Sequence, residues 1–268
     1  MTVLLLCLAG PMQAWGATSR FVQRTTRNAP TKSGVLGLLA AAEGRPRGAD
    51  LSDLAELRFG VRVDQPGTRI RDFHKAENPD TGRVMPLSHR YYLADAVFLA
   101  GVEGEETLIR RLRDAVDAPV FLPYLGRRSC PPSRHLLIEE PLSDRPLPTA
   151  LREAPWQASP WYVRQLEHEA EDHGVPPAPD ELELLLDCPS DEAPDFSLRD
   201  TPLTFAPHHR QYAVRGVRAE RVRTPAAREH TAHEPTAHLR PLPPRQRAEP
   251  ADGGSGNSPS LPSLRGRP

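Results

Sequence analysis

The sequence predicts an α+β fold whose first part is ferredoxin-like, in the split β-α-β arrangement. One observation is the order of hydrophobic patterns up to residue 133, which is strand, helix, strand, strand, helix, strand. A second is the change of composition after residue 138, where the chain becomes acidic and rich in proline. We therefore expect a module at 1–138, a smaller irregular appendage containing β-strands at 139–223, and a disordered tail rich in Pro, Arg and Gly at 224–268.

The first strand, the first helix and the second strand follow from apolar patterns and end signals. Residues 3–8 are all apolar, which is typical of a strand that is buried on both faces. After a loop, Thr31 or Ser33 can cap a helix that runs through SGVLGLLAAAEG and ends at Gly44. At residues 58–65, RFGVRVDQ alternates apolar and polar side chains, which predicts the second strand.

A long β-hairpin is predicted next, because NPDTG at residues 78–82 is a turn sequence between two extended arms. Its outer arms are polar and basic and should leave the sheet, whereas the apolar residues 92–102 should lie within it. The segment EETLIRRLRDAVDAP then predicts a helix, and PVFLPYLGRRSCPPS predicts a short final strand of the module. In the appendage, ELELLLDC and YAVRGVRAERV predict two further strands.

Charge is distributed unevenly along the chain, although the net charge is only -1. Residues 1–138 carry 19 basic and 14 acidic side chains, residues 139–200 carry 4 and 16, and residues 201–268 carry 11 and 5. The first acidic residue is Glu43, so the basic residues that precede it have no acidic neighbour in sequence. This pattern indicates an anionic partner for the first part of the chain.

Several classes of protein and site are excluded by the sequence. The run VLLLCLAG is too short to cross a membrane, and no basic residue precedes it, as a signal peptide would require. The three cysteines are too far apart in sequence to form a disulfide framework or a zinc site. In HEAEDH the two histidines are five residues apart, so they do not lie on the same face of a helix as zinc ligands would. The motifs GxxxxGK[ST], GxGxxG and GxSxG are absent. We expect a cytoplasmic protein without a membrane, a metal, a cofactor or a small-molecule substrate.

Basic and aromatic residues instead predict a surface that binds RNA. They lie in the loop after the first strand, at the start of the first helix and on the hairpin, where arginine and lysine can neutralise phosphates. Backbone amides at the helix start should add a phosphate site, and Trp15, Phe73 and Tyr91 should stack on bases. The predicted contact residues are Gln13, Trp15, Arg20, Arg24, Arg27, Lys32, Ser33, Arg69, Arg71, His74, Lys75 and Tyr91.

An alternative function is metal-independent cleavage of RNA, which needs a general base, a general acid and a cation. His74, Lys75, Tyr91 and Tyr92 supply these residue types on the hairpin arms. However, His74 and Lys75 are neighbours in an extended arm and should point to opposite faces. We therefore assign no catalytic residue.

Five ordered segments carry a resemblance to a known family. LLLCLAGPMQAWG, RNAPTKSGVLGLLAAAEGR, LRFGVRVDQPGT, PLSHRYYLADAVFLAGVEG and PYLGRRSCPPS resemble the CasD family, the Cascade subunits of type I-E CRISPR systems within the RAMP superfamily. The resemblance covers most of residues 3–222. It implies a ferredoxin-like RAMP module with a hairpin thumb at 68–90 that holds the 5′ handle of the crRNA.

The resemblance also implies partners and further contact residues. The partners are the backbone RAMP subunits and the large subunit of the Cascade complex, which serves antiviral defence. By motif, residues 13–16, Lys32, Ser33 and Arg90 correspond to positions near the handle, and Arg127 and Arg128 belong to the loop after the module's last strand. In this family a separate subunit cuts the precursor RNA, which implies a non-catalytic role, whereas relatives in type I-C systems cut RNA themselves.

Overall fold

The computed structural model of the protein describes residues 1–16, 23–173, 179–206, 208 and 210–226. The predicted α+β class is confirmed. The strands in these residues are β1 (Thr2–Ala9), β2 (Met12–Gln13), β3 (Gln23–Arg24), β4 (Arg58–Gln65), β5 (Thr68–His74), β6 (Ser88–Ala94), β7 (Val97–Gly104), β8 (Leu137–Ser143), β9 (Glu181–Asp187), β10 (Phe196–Thr204) and β11 (Gln211–Arg223). The helices are α1 (Lys32–Ala42), α2 (Ser52–Ala55), α3 (Glu106–Asp117), α4 (Leu147–Glu153) and α5 (Pro160–His173).

Seven strands form a large antiparallel sheet in the order β10-β11-β9-β4-β7-β1-β8. Every residue of β1 is buried, as expected for an apolar strand in the interior of a sheet. One face packs on α1 and α3, and the other packs on α4 and the first turns of α5. The first 143 residues contain the succession β1-α1-β4-β7-α3-β8, with β2, β3, α2, β5 and β6 between these elements.

The predicted position of the module's last strand was wrong. The described chain has no strand between 119 and 133, and β1 pairs instead with β8, which begins at Leu137. The segment forms a loop because the Leu125 N–H donates to the Cys130 carbonyl, and Gly126 between them has a φ of +84°. The side chain of Leu122 is 85% exposed, so the apolar run that suggested a strand lies on the surface.

The C-terminal strands extend the same sheet. β9 and β11 are the two strands predicted in the appendage, and β10 lies in the segment that joins them. β9 pairs with β4, and β8 spans the division at residue 138. Three residues of the predicted disordered tail, 224–226, are described, and Trp156 donates its N–H to the Ala226 carbonyl; residues 227–268 lie outside the described residues.

The predicted hairpin is present and belongs to a second, smaller sheet. β5 and β6 pair from Thr68 opposite Ala94 to His74 opposite Ser88, while β2 and β3 lie along the other edge of β6. Asp95, with a φ of 58°, separates β6 from β7 in the large sheet. The hairpin therefore leaves the large sheet where its pattern changes from apolar to polar. Among the described residues no helix has the length and apolar character needed to cross a membrane.

Candidate nucleic-acid interface

Gln13 and Trp15 anchor the loop that follows β1. The Gln13 Nε2 donates to the carbonyls of Leu8 (2.9 Å) and Ala96 (2.8 Å), and the Trp15 Nε1 donates to the Gln13 Oε1 (3.0 Å). Their exposed fractions are 0% and 1%. Both side chains are therefore part of the core, and they hold the loop rather than present a surface.

Two glycines allow this loop to approach its neighbours closely. A Cβ on Gly34 would lie 2.7 Å from the Trp15 ring, so the indole packs directly on the backbone of α1. A Cβ on Gly126 would lie 1.8 Å from the Ala14 carbonyl oxygen, and the Ala14 N–H donates to the Leu125 carbonyl. The loop after β1 and the loop after Leu125 thus form one unit.

The segment before α1 is tied to this unit and to the hairpin. The Arg27 N–H donates to the Trp15 carbonyl (2.7 Å), and the Trp15 N–H donates to the Thr26 Oγ1 (2.9 Å). From β5, the Arg69 Nη2 donates to the Asn28 Oδ1 (2.7 Å) and to the Thr26 carbonyl (3.3 Å). These contacts leave the side chain of Arg27 exposed beside the hairpin.

The start of α1 is occupied by carboxylates of the chain itself. Thr31 is the N-cap, and Lys32 and Ser33 are buried. The Lys32 N–H donates to the Asp200 Oδ2 (2.9 Å), and the Lys32 Nζ donates to the Asp187 Oδ2 (3.0 Å). Asp200 thus takes the place that the sequence analysis assigned to a phosphate, and the helix start is not part of the interface.

The register of the hairpin sorts its side chains onto two faces, because directly opposed residues lie on the same face. Phe73 is 65% exposed and lies opposite the half-buried His89. The first face carries these two residues with Arg69, Arg71, Tyr91 and Leu93. The second face carries Ile70, Asp72, His74, Ser88, Arg90 and Tyr92, with Arg24 of β3 beside Arg90.

On the second face two arginines have polar atoms without partners. The guanidinium carbon of Arg127 lies 4.6 Å from the centre of the Tyr92 ring, and its Nη2 donates to the Arg24 carbonyl (2.8 Å). The Arg127 Nη1 and the Arg90 Nε are buried and find no hydrogen-bond partner among the described residues. A buried, unpaired guanidinium N–H is costly, and a phosphate oxygen is the acceptor that suits it best.

The other predicted contact residues are dispersed. Lys75 and Arg128 are exposed, and the His74 Nε2 lies 2.9 Å from the Asp72 Oδ2. Tyr91 lies on the face opposite His74, and Tyr92, which shares the face of His74, lies opposite Ile70 at the other end of β5. Arg20 lies outside the described residues.

Metal-ligating residue types form no site in the part of the chain that the structure describes, where no group of three or more His, Cys, Asp or Glu side chains is placed to hold an ion. His168, in the HEAEDH segment of α5, lies 3.9 Å from the Glu171 Oε2. The side chain of His173 is outside the described residues.

The sequence did not indicate the roles of three residues of this region. His89 shares a face with Phe73, Asn28 receives the Arg69 guanidinium, and Tyr92 supports Arg127. Symmetric counting outward from the turn at 78–82 would place Leu87 opposite Phe73, two residues before His89, so the turn sequence alone does not identify this pair. No sequence signal links Arg127 to Tyr92, because that contact depends on how a distant loop packs.

Comparisons with known proteins agree with this architecture. The family model described as CRISPR-associated protein (Cas_Cas5) matches residues 3–218. The CRISPR system Cascade subunit CasD of Escherichia coli (strain K12) is 37% identical over 155 residues, which is 50% of this chain and 69% of CasD. Among solved structures, a crystallised Cas protein is 37% identical with a TM-score of 0.63, covering 84% of this chain and 98% of its own. A chain of a CRISPR RNA-guided surveillance complex is 33% identical with a TM-score of 0.65. The match covers 84% of this chain and 91% of that chain. The chain therefore belongs to the Cas5 family of CRISPR-associated proteins and is similar to the Cascade subunit CasD.

Proposed function

We propose that this protein is a non-catalytic crRNA-binding subunit of a type I-E Cascade surveillance complex in antiviral defence, and that it holds the 5′ handle of the crRNA. Membership of the Cas5 family and similarity to CasD support the assignment to Cascade. The observation that carries the RNA-binding role is the pair of partially unpaired guanidiniums, Arg90 and Arg127. Neither of them forms an ion pair with a carboxylate of the described residues.

Phosphates bind at the second face of the hairpin, and bases bind at the first. Arg90 and Arg127 contact a phosphate between them, and the exposed Arg24 and Arg27 neutralise the next ones along the strand. On the first face, Phe73 and Tyr91 stack on unpaired bases, with Arg71 beside them. Exposed Lys75 and Arg128 extend the positive surface, while Gln13, Trp15, Lys32 and Ser33 position the loop from within the core.

Protein partners bind surfaces that leave apolar side chains in solvent. The hairpin beyond β5 exposes Val84, Met85 and Leu87, and the loop after α3 exposes Phe121 and Leu122. Exposed apolar clusters of this kind are typical of protein interfaces. We infer that the backbone subunits and the large subunit cover them in a cytoplasmic complex, and that the subunit uses no metal or cofactor.

The test incubates the purified full chain with labelled repeat RNA in EDTA and scores retention and cleavage on one gel. The informative variant is Arg90→Gln/Arg127→Gln, and its matched control is Arg110→Gln/Arg113→Gln, which removes two ion-paired arginines of α3. We expect the first variant to bind about 100-fold more weakly, because two charge-assisted contacts are lost. The slope of log K against log salt should decrease by about 0.7, because the two arginines share one phosphate.

Two results would contradict the proposal. If the two double variants bound repeat RNA with equal affinity, Arg90 and Arg127 would not be RNA contacts. Cleavage of the RNA at one site in EDTA, abolished by His74→Ala or Tyr91→Phe, would replace the scaffold with a metal-independent endoribonuclease.

A further inference from the structure

Four charged side chains form a buried network between α1 and the C-terminal strands. Asp200, on β10, is fully buried and accepts hydrogen bonds from the Arg215 Nε (2.7 Å), the Arg215 Nη2 (3.0 Å) and the Lys32 N–H (2.9 Å). Asp187, on β9, accepts hydrogen bonds from the Arg215 Nη1 (2.6 Å), the Lys32 Nζ (3.0 Å) and the Phe59 N–H (2.9 Å). Two cations therefore face two carboxylates, and the network has no net charge.

This network holds one end of the segment that carries Arg27. At the other end, the Arg27 N–H and the Thr26 Oγ1 are bonded to the backbone of Trp15. Between the two anchors lie residues 28–31, in which Pro30 is buried and Thr31 caps α1. The backbone from 26 to 32 is thus fixed at both ends, and the second anchor is the Asp200 carboxylate on β10.

The hydrogen bond from the Lys32 N–H gives Asp200 a role distinct from that of an ordinary ion pair. The Arg215–Asp200 contact joins two neighbouring strands, β10 and β11, and could be replaced by apolar packing without moving the loop. The contact to the Lys32 N–H instead joins β10 to the last residue of the segment that carries Arg27. This hydrogen bond requires a side chain at position 200 that can accept it.

We propose that Asp200 is a positioning residue of the RNA interface: its carboxylate fixes the Lys32 amide and thereby sets where Arg27 meets the RNA. This inference rests on the proposed function. It assigns to the C-terminal strands a part in shaping the RNA site, although they contribute no contact residue to it. Preorganisation of this kind raises affinity because the loop is not ordered on binding.

The test compares two double variants that differ only in the acceptor. Asp200→Ala alone would leave Arg215 buried without one of its two carboxylates and would unfold part of the chain. Asp200→Leu/Arg215→Met removes both charges and the acceptor, whereas Asp200→Asn/Arg215→Met removes both charges and keeps an amide oxygen. In both variants Lys32 retains Asp187.

We expect Asp200→Leu/Arg215→Met (the Leu/Met variant) to bind repeat RNA about tenfold more weakly than wild type. Asp200→Asn/Arg215→Met (the Asn/Met variant) should bind within about twofold of wild type, because only this variant keeps the loop ordered before RNA binds. Adding Arg27→Ala to the Leu/Met variant should cause little further loss, while adding Arg71→Ala should still weaken binding. Hydrogen exchange at the Lys32 amide should be faster in the Leu/Met variant than in the Asn/Met variant.

The outcomes separate this inference from the proposed function. If wild type binds RNA and both double variants bind equally well, or if exchange at the Lys32 amide is the same in both, the positioning role of Asp200 is overturned and the proposed function stands. If wild type does not retain repeat RNA, the proposed function fails and the inference fails with it. A fall in melting temperature common to both double variants, with RNA binding lost in the Leu/Met variant alone, supports the inference.

Discussion

Arginines with buried N–H groups occur in two regions of this protein, and the regions differ in how these groups are paired. Arg62, on β4, donates all five N–H groups: to both oxygens of Asp64 and to the carbonyls of Leu151, Ala154 and Pro155. In the small sheet, Arg90 and Arg127 have buried N–H groups without a partner among the described residues. Buried N–H groups are therefore common to both regions, and incomplete pairing distinguishes the second region from the first.

The acidic segment supplies carboxylates to a further group of paired cations. Residues 139–200 carry 16 acidic side chains, and two of them, Asp187 and Asp200, neutralise Lys32 and Arg215. The segregation of charge along the sequence is thus partly cancelled in space, where the C-terminal strands meet α1. Among the described residues, Arg24, Arg27, Arg90 and Arg127, in the hairpin and the segments beside it, form no ion pair with a carboxylate.

The largest effect is expected from Arg62→Met. This change leaves Asp64 buried without its cation and removes the Arg62 donor from the carbonyls of Leu151 and Ala154, so the free energy of unfolding should fall by about 3–5 kcal/mol. Urea unfolding followed by tryptophan fluorescence measures this loss, since Trp156 packs beside the pair and donates its indole N–H to the Asp64 carbonyl.

Arg90→Met is the matched control for that measurement. It removes a half-buried arginine whose Nε–H is unpaired, so the free energy of unfolding should change by less than about 1 kcal/mol. If both variants lost the same free energy of unfolding, the pairing of the N–H groups would not distinguish the two regions.

A smaller effect, confined to binding, is expected from Phe73→Ala. The ring is 65% exposed, so its removal should change the free energy of unfolding by less than about 0.5 kcal/mol. Loss of one stacked base should weaken RNA binding by about 1–3 kcal/mol. Fluorescence anisotropy with labelled repeat RNA tests this, with Phe121→Ala as the control aromatic in the loop after α3. Unchanged affinity would place the bases on another surface.

Local patterns in the sequence predicted most of the fold. The alternation in RFGVRVDQ gave the bounds of β4, the Thr31 cap marked the start of α1, and NPDTG marked the hairpin turn. The last strand of the module was misplaced because the apolar run at 120–122 resembles a strand, whereas β8 contains two glutamates and a proline. Irregular edge strands of this kind carry a weak pattern, and the register of β8 on β1 is indeed shifted.

The candidate site was less predictable, because pairing depends on contacts between distant parts of the chain. Residue type suggested Gln13, Trp15 and Lys32 as contact residues, yet all three are buried. Lys32 meets its carboxylate 155 residues later in the chain, at Asp187. No spacing rule connects two such positions, so the sequence could not separate paired cations from unpaired ones.

The smallest effect concerns Asp53, which is paired like Asp64 but lies on the surface. Its hydrogen bond with the Arg45 guanidinium (Nη1 to Oδ1, 2.6 Å) holds the pKa of the Asp53 carboxyl below its ordinary value, although partial burial opposes this. A carboxyl with a lowered pKa in the folded state stabilises the fold above its unfolded pKa of about 3.9 and loses that contribution as the pH falls through the folded value. Because the side chain is 39% exposed and screened by solvent, the contribution should be less than about 1 kcal/mol.

Asp53→Asn should therefore lower the free energy of unfolding at pH 7 and reduce its further loss on acidification below about pH 4. Urea unfolding at several pH values measures both, with Asp191→Asn, a change at another exposed carboxylate, as the control. If wild type and Asp53→Asn lose the same free energy between neutral and acid pH, the surface pair contributes nothing that depends on its charge. Charge pairs would then stabilise this protein only in its interior, and the contrast between paired and unpaired arginines would apply only there.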